Sequence, residues 1–485
     1  MPNEINSKSA RGKLAGSSVG VAHIVFFVVA AAAPMAAVVG ATPPAFAFGN
    51  IGVPGAFVLV GLLYLVFSAG FTAMARHVSS AGGFYAYISR GLGRPFGVAG
   101  AFLAMVTYLA IQIGVYAQVG VFARAALEPL GIALPWWFWS FLVLVTVLWC
   151  GQRHIVFSGR LLGVCMIAEL FILALFALGV VLAGGGPDGL TSAGLRPSDV
   201  FAPGVGVTLI FVVSAFIGFE ATAIFGEEAA NPDHAIPRAT VAAVTIITVF
   251  YAFISWAVVQ YYGAGAVASK ANESLENFYM GAIGGVLGGW STVAVNILLL
   301  TSLFACLLSF HNTLNRYFYA LGRDGLLWAG LSAVHRANSS PHIAGRVQSA
   351  LVGAILVGFA LIGADPYAVV FAWTVAFAGI GILAVQVLVS ISILIFFRRQ
   401  RHGFSALRVV IAPVVAGTAL AAAFVQVSRN LPLLTGSESL MVASFPACVI
   451  LIGLAGILLA LHIRRSNPAL YDRLDRTFAE ATAEA

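Results

Sequence analysis

Val21-Ala22-His23-Ile24-Val25-Phe26-Phe27-Val28-Val29-Ala30-Ala31-Ala32-Ala33-Pro34-Met35-Ala36-Ala37-Val38-Val39-Gly40 decides how the rest of the chain is read. It carries no formal charge and has the length, about 20 residues, that an α-helix needs to cross a bilayer. The uncharged run is longer still, from Leu14 to Ala75, and ends at Arg76. Thr42-Pro43-Pro44 and Phe48-Gly49-Asn50 supply the turn chemistry that divides it into two spans.

Outward from this stretch the pattern repeats. Of the 485 residues, 60% are hydrophobic and 9% charged, whereas soluble domains carry about 25% charged residues. That excludes an ordinary soluble enzyme and a disordered chain. Twelve apolar stretches follow one another: 19–41, 54–75, 97–123, 135–151, 161–183, 202–224, 240–262, 287–311, 343–363, 367–396, 408–427 and 441–463. Barrel strands would be about 10 residues of alternating character, so the predicted fold is an all-α membrane protein of twelve transmembrane helices. The first stretch has the length of a full span, so it does not read as a cleavable leader.

Charge sets the direction. With the N terminus in the cytoplasm, the 25 Lys and Arg residues fall on the cytoplasmic side except Arg124, Arg196, Lys270 and Arg429. This asymmetry is the positive-inside pattern, and it predicts both termini in the cytoplasm. It also explains the net charge of +7 without invoking nucleic acid, because the basic residues form no continuous face. Segments outside the bilayer are short. Residues 266–283 are expected to form a short amphipathic cap, and the tail after Arg464 to be partly helical through Leu470, Leu474 and Phe478.

No soluble chemistry is legible. There is no phosphate-binding Gly-x-x-x-x-Gly-Lys-Ser/Thr motif, and the lysines are only Lys8, Lys13 and Lys270. Cys150, Cys165, Cys306 and Cys448 lie in apolar runs without metal-ligand spacing. Neither cofactor nor metal is expected. A channel would need repeated filter elements, and an ABC permease subunit a coupling-helix signature and a separate ATPase; neither pattern is present.

Two interruptions stand out. Pro34, inside Ala33-Pro34-Met35-Ala36, removes a backbone donor mid-span and disfavours helical geometry at Ala33. In the sixth span, Ser214-Ala215-Phe216-Ile217-Gly218-Phe219-Glu220 combines a helix-weakening glycine with a carboxylate. Transporters bind substrate at mid-membrane where helices are broken and free N–H and C=O groups face a cavity. The spans are five apart, as an inverted repeat requires. A kink is the alternative reading of Pro34.

With these residues in view, the chain resembles the amino acid–polyamine–organocation (APC) permeases. The resemblance is carried by His77-Val78-Ser79-Ser80-Ala81-Gly82-Gly83-Phe84-Tyr85-Ala86-Tyr87-Ile88 with Gly91-Leu92-Gly93-Arg94, in the loop after the second span. Phe216-Ile217-Gly218-Phe219-Glu220 continues it, with Glu227-Glu228, Asn231-Pro232 and Ile236-Pro237-Arg238-Ala239. Asn315-Arg316 with Ala320-Leu321-Gly322-Arg323-Asp324-Gly325, after the eighth span, completes it. The resemblance implies a LeuT-type core, five-plus-five inverted repeats over residues 19–396, with two added helices in 397–463. Residues 1–18 and 464–485 would be the cytoplasmic ends. It implies a secondary transporter in the plasma membrane, working by alternating access on an amino acid or related amine, either proton-coupled or by exchange. A polyamine or other cationic amine carrier is the alternative. Many relatives carry a Gly-rich turn in the first span, where this chain has Ala33-Pro34-Met35-Ala36.

The expected substrate site is therefore Ala33, Pro34, Met35, Ala36, Ser214, Ala215, Phe216 and Gly218. Gln112 of the third span joins it, because Tyr108, Gln112 and Tyr116 recur on one helical face. Glu169 stands alone among apolar residues of the fifth span. A carboxylate there is costly unless protonated or paired, which marks it, with Glu220, as a candidate for proton coupling or amine binding. The expected partners are a small-molecule substrate, the bilayer and protons. His23, His154 and His311 read as end-of-helix residues, and Ser302 of the eighth span as a packing residue.

Overall fold

A computed structural model describes residues 20–78, 83–152, 159–220, 222, 231–335, 340–400, 403–435 and 439–474. The motif residues Ser79–Gly82 and the pair Glu227-Glu228 lie outside them, as do the N-terminal segment and the end of the tail. Among the described residues the regular secondary structure is helical, apart from one isolated bridge between Gly186 and Gly189.

The principal helices are α1 Val21–Ala32, α2 Val53–Ala75, α3 Arg94–Leu127, α4 Trp136–Gln152, α5 Gly159–Leu182 and α6 Val205–Ser214. They continue as α7 Pro232–Tyr262, α8 Gly289–Arg323, α9 His342–Leu361, α10 Ala372–Arg399, α11 Ala412–Thr435 and α12 Phe445–Ser466. Among the described residues, 9 helical stretches are long and apolar enough to cross a membrane. The predicted first, fourth and sixth spans are not among them. The first is broken at Ala33, the sixth stops being helical after Ser214, and α4 has 17 residues.

Other boundaries also moved. The loop after the second span contains a helix, Phe84–Leu92, because Phe84, Tyr87 and Ile88 bury against the bundle. Asn315-Arg316 and Ala320–Arg323 lie inside α8 and not after it. Leu314, Phe318 and Leu321 continue the buried stripe while Arg316 and Arg323 point outward, so the helix runs on past its apolar part. The expected cap of 266–283 is two helices, Val267–Glu273 and Phe278–Leu287. In the tail, Pro468–Arg473 is helical, with Asn467 accepting the Leu470 N–H.

Helix α3 is the axis of the assembly, in contact with α4, α8, α10 and α12. Helix α2 lies along α7, α1 rests on α5, α7 and α8, and α6 sits between α2, α10 and α11. The two broken helices thus end inside the bundle, walled by long intact ones.

Candidate functional site

Helix α1 stops at Ala32. Ala33 adopts φ of 46°, the one positive-φ residue other than glycine among those described, and the chain resumes as a helix beyond it. Pro34 accounts for the position of the break: it has no N–H to give and restricts the residue before it. The left-handed conformation at Ala33 costs about 1–2 kcal/mol, so tertiary contacts must hold it. Tyr251 of α7 donates its hydroxyl to the freed carbonyl of Ala32 at 3.3 Å. On the other side of the break the Met35 N–H donates to Glu169 Oε2 at 3.4 Å, and the Ala36 N–H to Ser302 Oγ at 3.4 Å. The Ser302 hydroxyl then donates to the same Glu169 oxygen at 2.9 Å. A carboxylate from α5 and a hydroxyl from α8 therefore cap the resumed helix, where the dipole favours negative charge. Glu169 is 3% exposed while Ile167 and Phe171 beside it are open to the outside, so its side chain turns inward.

The sixth span breaks after Ser214. Residues 215–218 form turns, and Gly218 takes φ of 115°, a conformation that side-chain-bearing residues rarely adopt. Here the polar partner is local: Gly218 N–H donates to Glu220 Oε2 at 2.9 Å. The other oxygen, Oε1, accepts the Tyr108 hydroxyl at 2.5 Å, tying the break to α3.

Between the breaks lies a cavity. Ala32, Ala33, Ala36, Ala37 and Ala41 form one wall and Ser214, Ala215 and Ile217 the opposite one. Ile111, Val115 and Gln118 of α3, Cys306 and Phe310 of α8, and Phe371 and Val375 complete it. No charged side chain is among these residues; Ser214 and Gln118 are the polar ones.

Of the residues expected from sequence, Ala33, Ala36, Ser214 and Ala215 line this space. Pro34 and Met35 are buried at the break, Met35 through its backbone bond. Phe216 turns away and packs on Phe57 and Tyr64, with ring centroids 6.2 and 5.1 Å apart. Gly218 and Glu220 sit beyond the lining, and Glu169 stands behind it. Gln112 is buried off the lining, because α3 presents 111, 115 and 118 to the cavity and not the polar face 108, 112 and 116. Ser302 bonds Glu169 and is more than packing. His311 is no helix end: it is fully buried within α8, and Gln348 Nε2 meets its Nδ1. Gln118, Cys306, Phe310 and Phe371 escaped the sequence reading. For Cys306 and Phe310 the signal available was spacing, since 302, 306 and 310 recur every four residues on one face of α8.

Long apolar helices packed around a buried cavity, with two of their number broken beside it, define a multi-pass membrane protein of the transporter class. Residues 23–466 match the amino acid permease family, and the chain belongs to that family. It is 24% identical over 223 residues to the branched-chain amino acid permease of Bacillus subtilis, covering 45% of this chain and 43% of that protein. The branched-chain amino acid permease of Lactococcus lactis is 31% identical over 157 residues, 32% of this chain and 31% of its own. The methylthioribose transporter of Bacillus subtilis is 24% identical over 214 residues, 44% of this chain and 42% of its own. The matched stretches thus span less than half the length of these curated relatives.

Proposed function

We propose that this protein is a secondary active transporter that moves an amino acid with a small or medium apolar side chain across the plasma membrane by alternating access. The cavity between the two broken helices carries this reading. Among the described residues its walls carry no charged side chain, which suits a neutral side chain and offers a polyamine no counter-ion. The relatives named for branched-chain amino acids favour the same class, while the one named for methylthioribose shows that family membership alone does not set the substrate. The reading includes twelve spans, counting the two broken helices and α4 as crossings, with both termini cytoplasmic. It includes a five-plus-five inverted-repeat core over 19–396, two added helices in 397–463, and cytoplasmic ends at 1–18 and 464–485.

Glu169 supplies the coupling in this reading. Ionised, it accepts the Met35 N–H and, through Ser302, holds the Ala36 N–H at the start of the resumed helix, the place a substrate carboxylate would take. Protonated, it loses its hold on them. Substrate carboxylate and proton therefore enter together, and acidification on the substrate side favours uptake. Glu220, bonded to Gly218 and Tyr108, is the second candidate, joining the sixth break to α3. Uptake of labelled leucine, alanine, arginine and putrescine into proteoliposomes, with and without an inward proton gradient, tests both parts. Gradient-stimulated accumulation of leucine or alanine is expected. Uptake confined to arginine or putrescine would sink the substrate class, and indifference to the gradient would sink the coupling.

A further inference from the structure

We propose that Gln118 and Tyr367 form the gate over the end of the cavity away from the N terminus of α1, closing it by sharing the carbonyl of Gly40. The proposal rests on the reading of the cavity as the substrate site.

The chain withholds the local donors that the Gly40 carbonyl would need. In a helix the Gly40 carbonyl would accept from the N–H of residue 44, or of residue 43 in a tighter turn. Both are prolines and have none. The next donors, the N–H groups of Ala45 and Phe46, are committed to Thr42 O at 2.9 and 3.3 Å. The Thr42 hydroxyl turns back to Val38 O at 2.7 Å and does not serve Gly40 either. The Gly40 carbonyl is thus buried with no local partner, a state that is costly unless a donor comes from elsewhere.

Two donors come, from two other helical segments. Gln118 of α3, 1% exposed, donates its Nε2 to Gly40 O. Tyr367, 3% exposed, donates its hydroxyl to the same oxygen at 2.5 Å. Tyr367 is the second residue of the helical stretch Pro366–Phe371, whose start is set by Asp365 accepting the N–H groups of Tyr367 and Ala368 at 2.9 and 2.6 Å. Its ring is braced by Phe122 and Phe371, with centroids 5.8 and 5.4 Å away. Gly40 is the residue that permits the approach, since a Cβ there would stand 3.3 Å from Gln118 Nε2.

These contacts belong to the cavity. Gln118 and Phe371 line it, and the resumed first helix that carries Gly40 supplies Ala36, Ala37 and Ala41 to its wall. One acceptor shared by two donors is a bistable fastening: separating the resumed helix from α3 and the 366–371 segment breaks both bonds together and opens the cavity at that end. The orphaned carbonyl can be re-satisfied by water entering behind it, which keeps the open state accessible.

Cys306 in the cavity wall is a built-in reporter once Cys150, Cys165 and Cys448 are changed to serine. Its labelling by a charged, membrane-impermeant thiol reagent is measured in intact cells and in inverted vesicles. Tyr367→Phe and Gln118→Ala should each raise the rate roughly fivefold, the effect of one lost hydrogen bond on a two-state equilibrium, from the face opposite the N terminus only. Pro44→Ala touches neither donor but returns a local N–H to Gly40, and should raise the rate in the same direction. Unchanged labelling in all three variants overturns the gate, as does an equal rise from both faces. Protection of Cys306 by leucine or alanine reports separately on the substrate site. Raised labelling without protection supports the gate and removes only that underlying reading.

Discussion

At the first break the freed backbone is held by Glu169 and Ser302, more than 130 residues away in sequence; at the sixth it is held by Glu220, two residues on. The first also places an alanine in a left-handed conformation, whereas the sixth uses a glycine that adopts it freely. One break is thus a strained element whose geometry depends on where α5, α7 and α8 stand. The other is nearly self-contained and needs its neighbours mainly through Tyr108. A helix end held by distant groups senses the arrangement of the bundle, and one capped by its own chain carries its shape with it. That difference suits the first break to coupling and the sixth to shaping the cavity.

The comparison breaks most readily at Gly218. A Cβ added at Gly218 meets no described atom within 4 Å, so the first cost of Gly218→Val is backbone strain, about 1–3 kcal/mol. Substrate affinity in detergent should fall by roughly 10- to 100-fold with the protein still folded. Normal binding would mean that the sixth break does not shape the site. Glu169→Gln comes next. It keeps the volume and a hydrogen-bond donor but cannot ionise, so gradient-driven accumulation should fall within the range of about 5- to 150-fold typical of coupled sites, while exchange at equal pH persists. A variant that retains its pH dependence makes Glu169 purely structural.

A double-mutant cycle sharpens the contrast further. Ser302→Ala with Glu169→Gln should show coupling of about 1 kcal/mol in thermal stability, and Tyr108→Phe with Glu220→Gln a similar value. Ser302→Ala with Tyr108→Phe, across the two breaks, should add within about 0.5 kcal/mol. Strong coupling in that last pair would make the breaks a single unit. The smallest effect is Ala33→Gly, which relieves about 1–2 kcal/mol of left-handed strain against about 0.5–1 kcal/mol of added chain entropy. A rise of a degree or two in melting temperature is expected; a fall would show that the Ala33 methyl group contributes more by packing than its backbone loses by strain.

Much is legible in the sequence. Uncharged runs of bilayer length report membrane helices because lipid offers no partner to a charge or a free backbone group, so composition alone carries the signal. Pro34 and Gly218 placed both interruptions, because proline and glycine act on the backbone locally wherever they stand. The lone carboxylates Glu169 and Glu220 were conspicuous for the same reason of cost. The ends of α3 and α8 were not legible, since a helix continues past its apolar part when its neighbours bury the next turns. Nor was the cavity face of α3: Tyr108, Gln112 and Tyr116 drew notice as polar residues, yet Ile111, Val115 and Gln118 face the space.

The sequence by itself determined what each segment can be: which stretches are apolar helix, where backbone donors are missing, and which side chains are too polar to be left in lipid. Pro43 and Pro44 already state that the Gly40 carbonyl has no local partner. Only the tertiary structure decided who answers. That Gln118 and Tyr367 meet Gly40, that Ser302 joins Glu169 at the start of a resumed helix, and that Gln112 does not line the cavity depend on how helices far apart in sequence are rotated and set against one another. Rotation of a helix that is apolar on every side is written weakly in its composition, because turning it by one residue exchanges one apolar face for another at little cost. The packing of all its neighbours sets it instead.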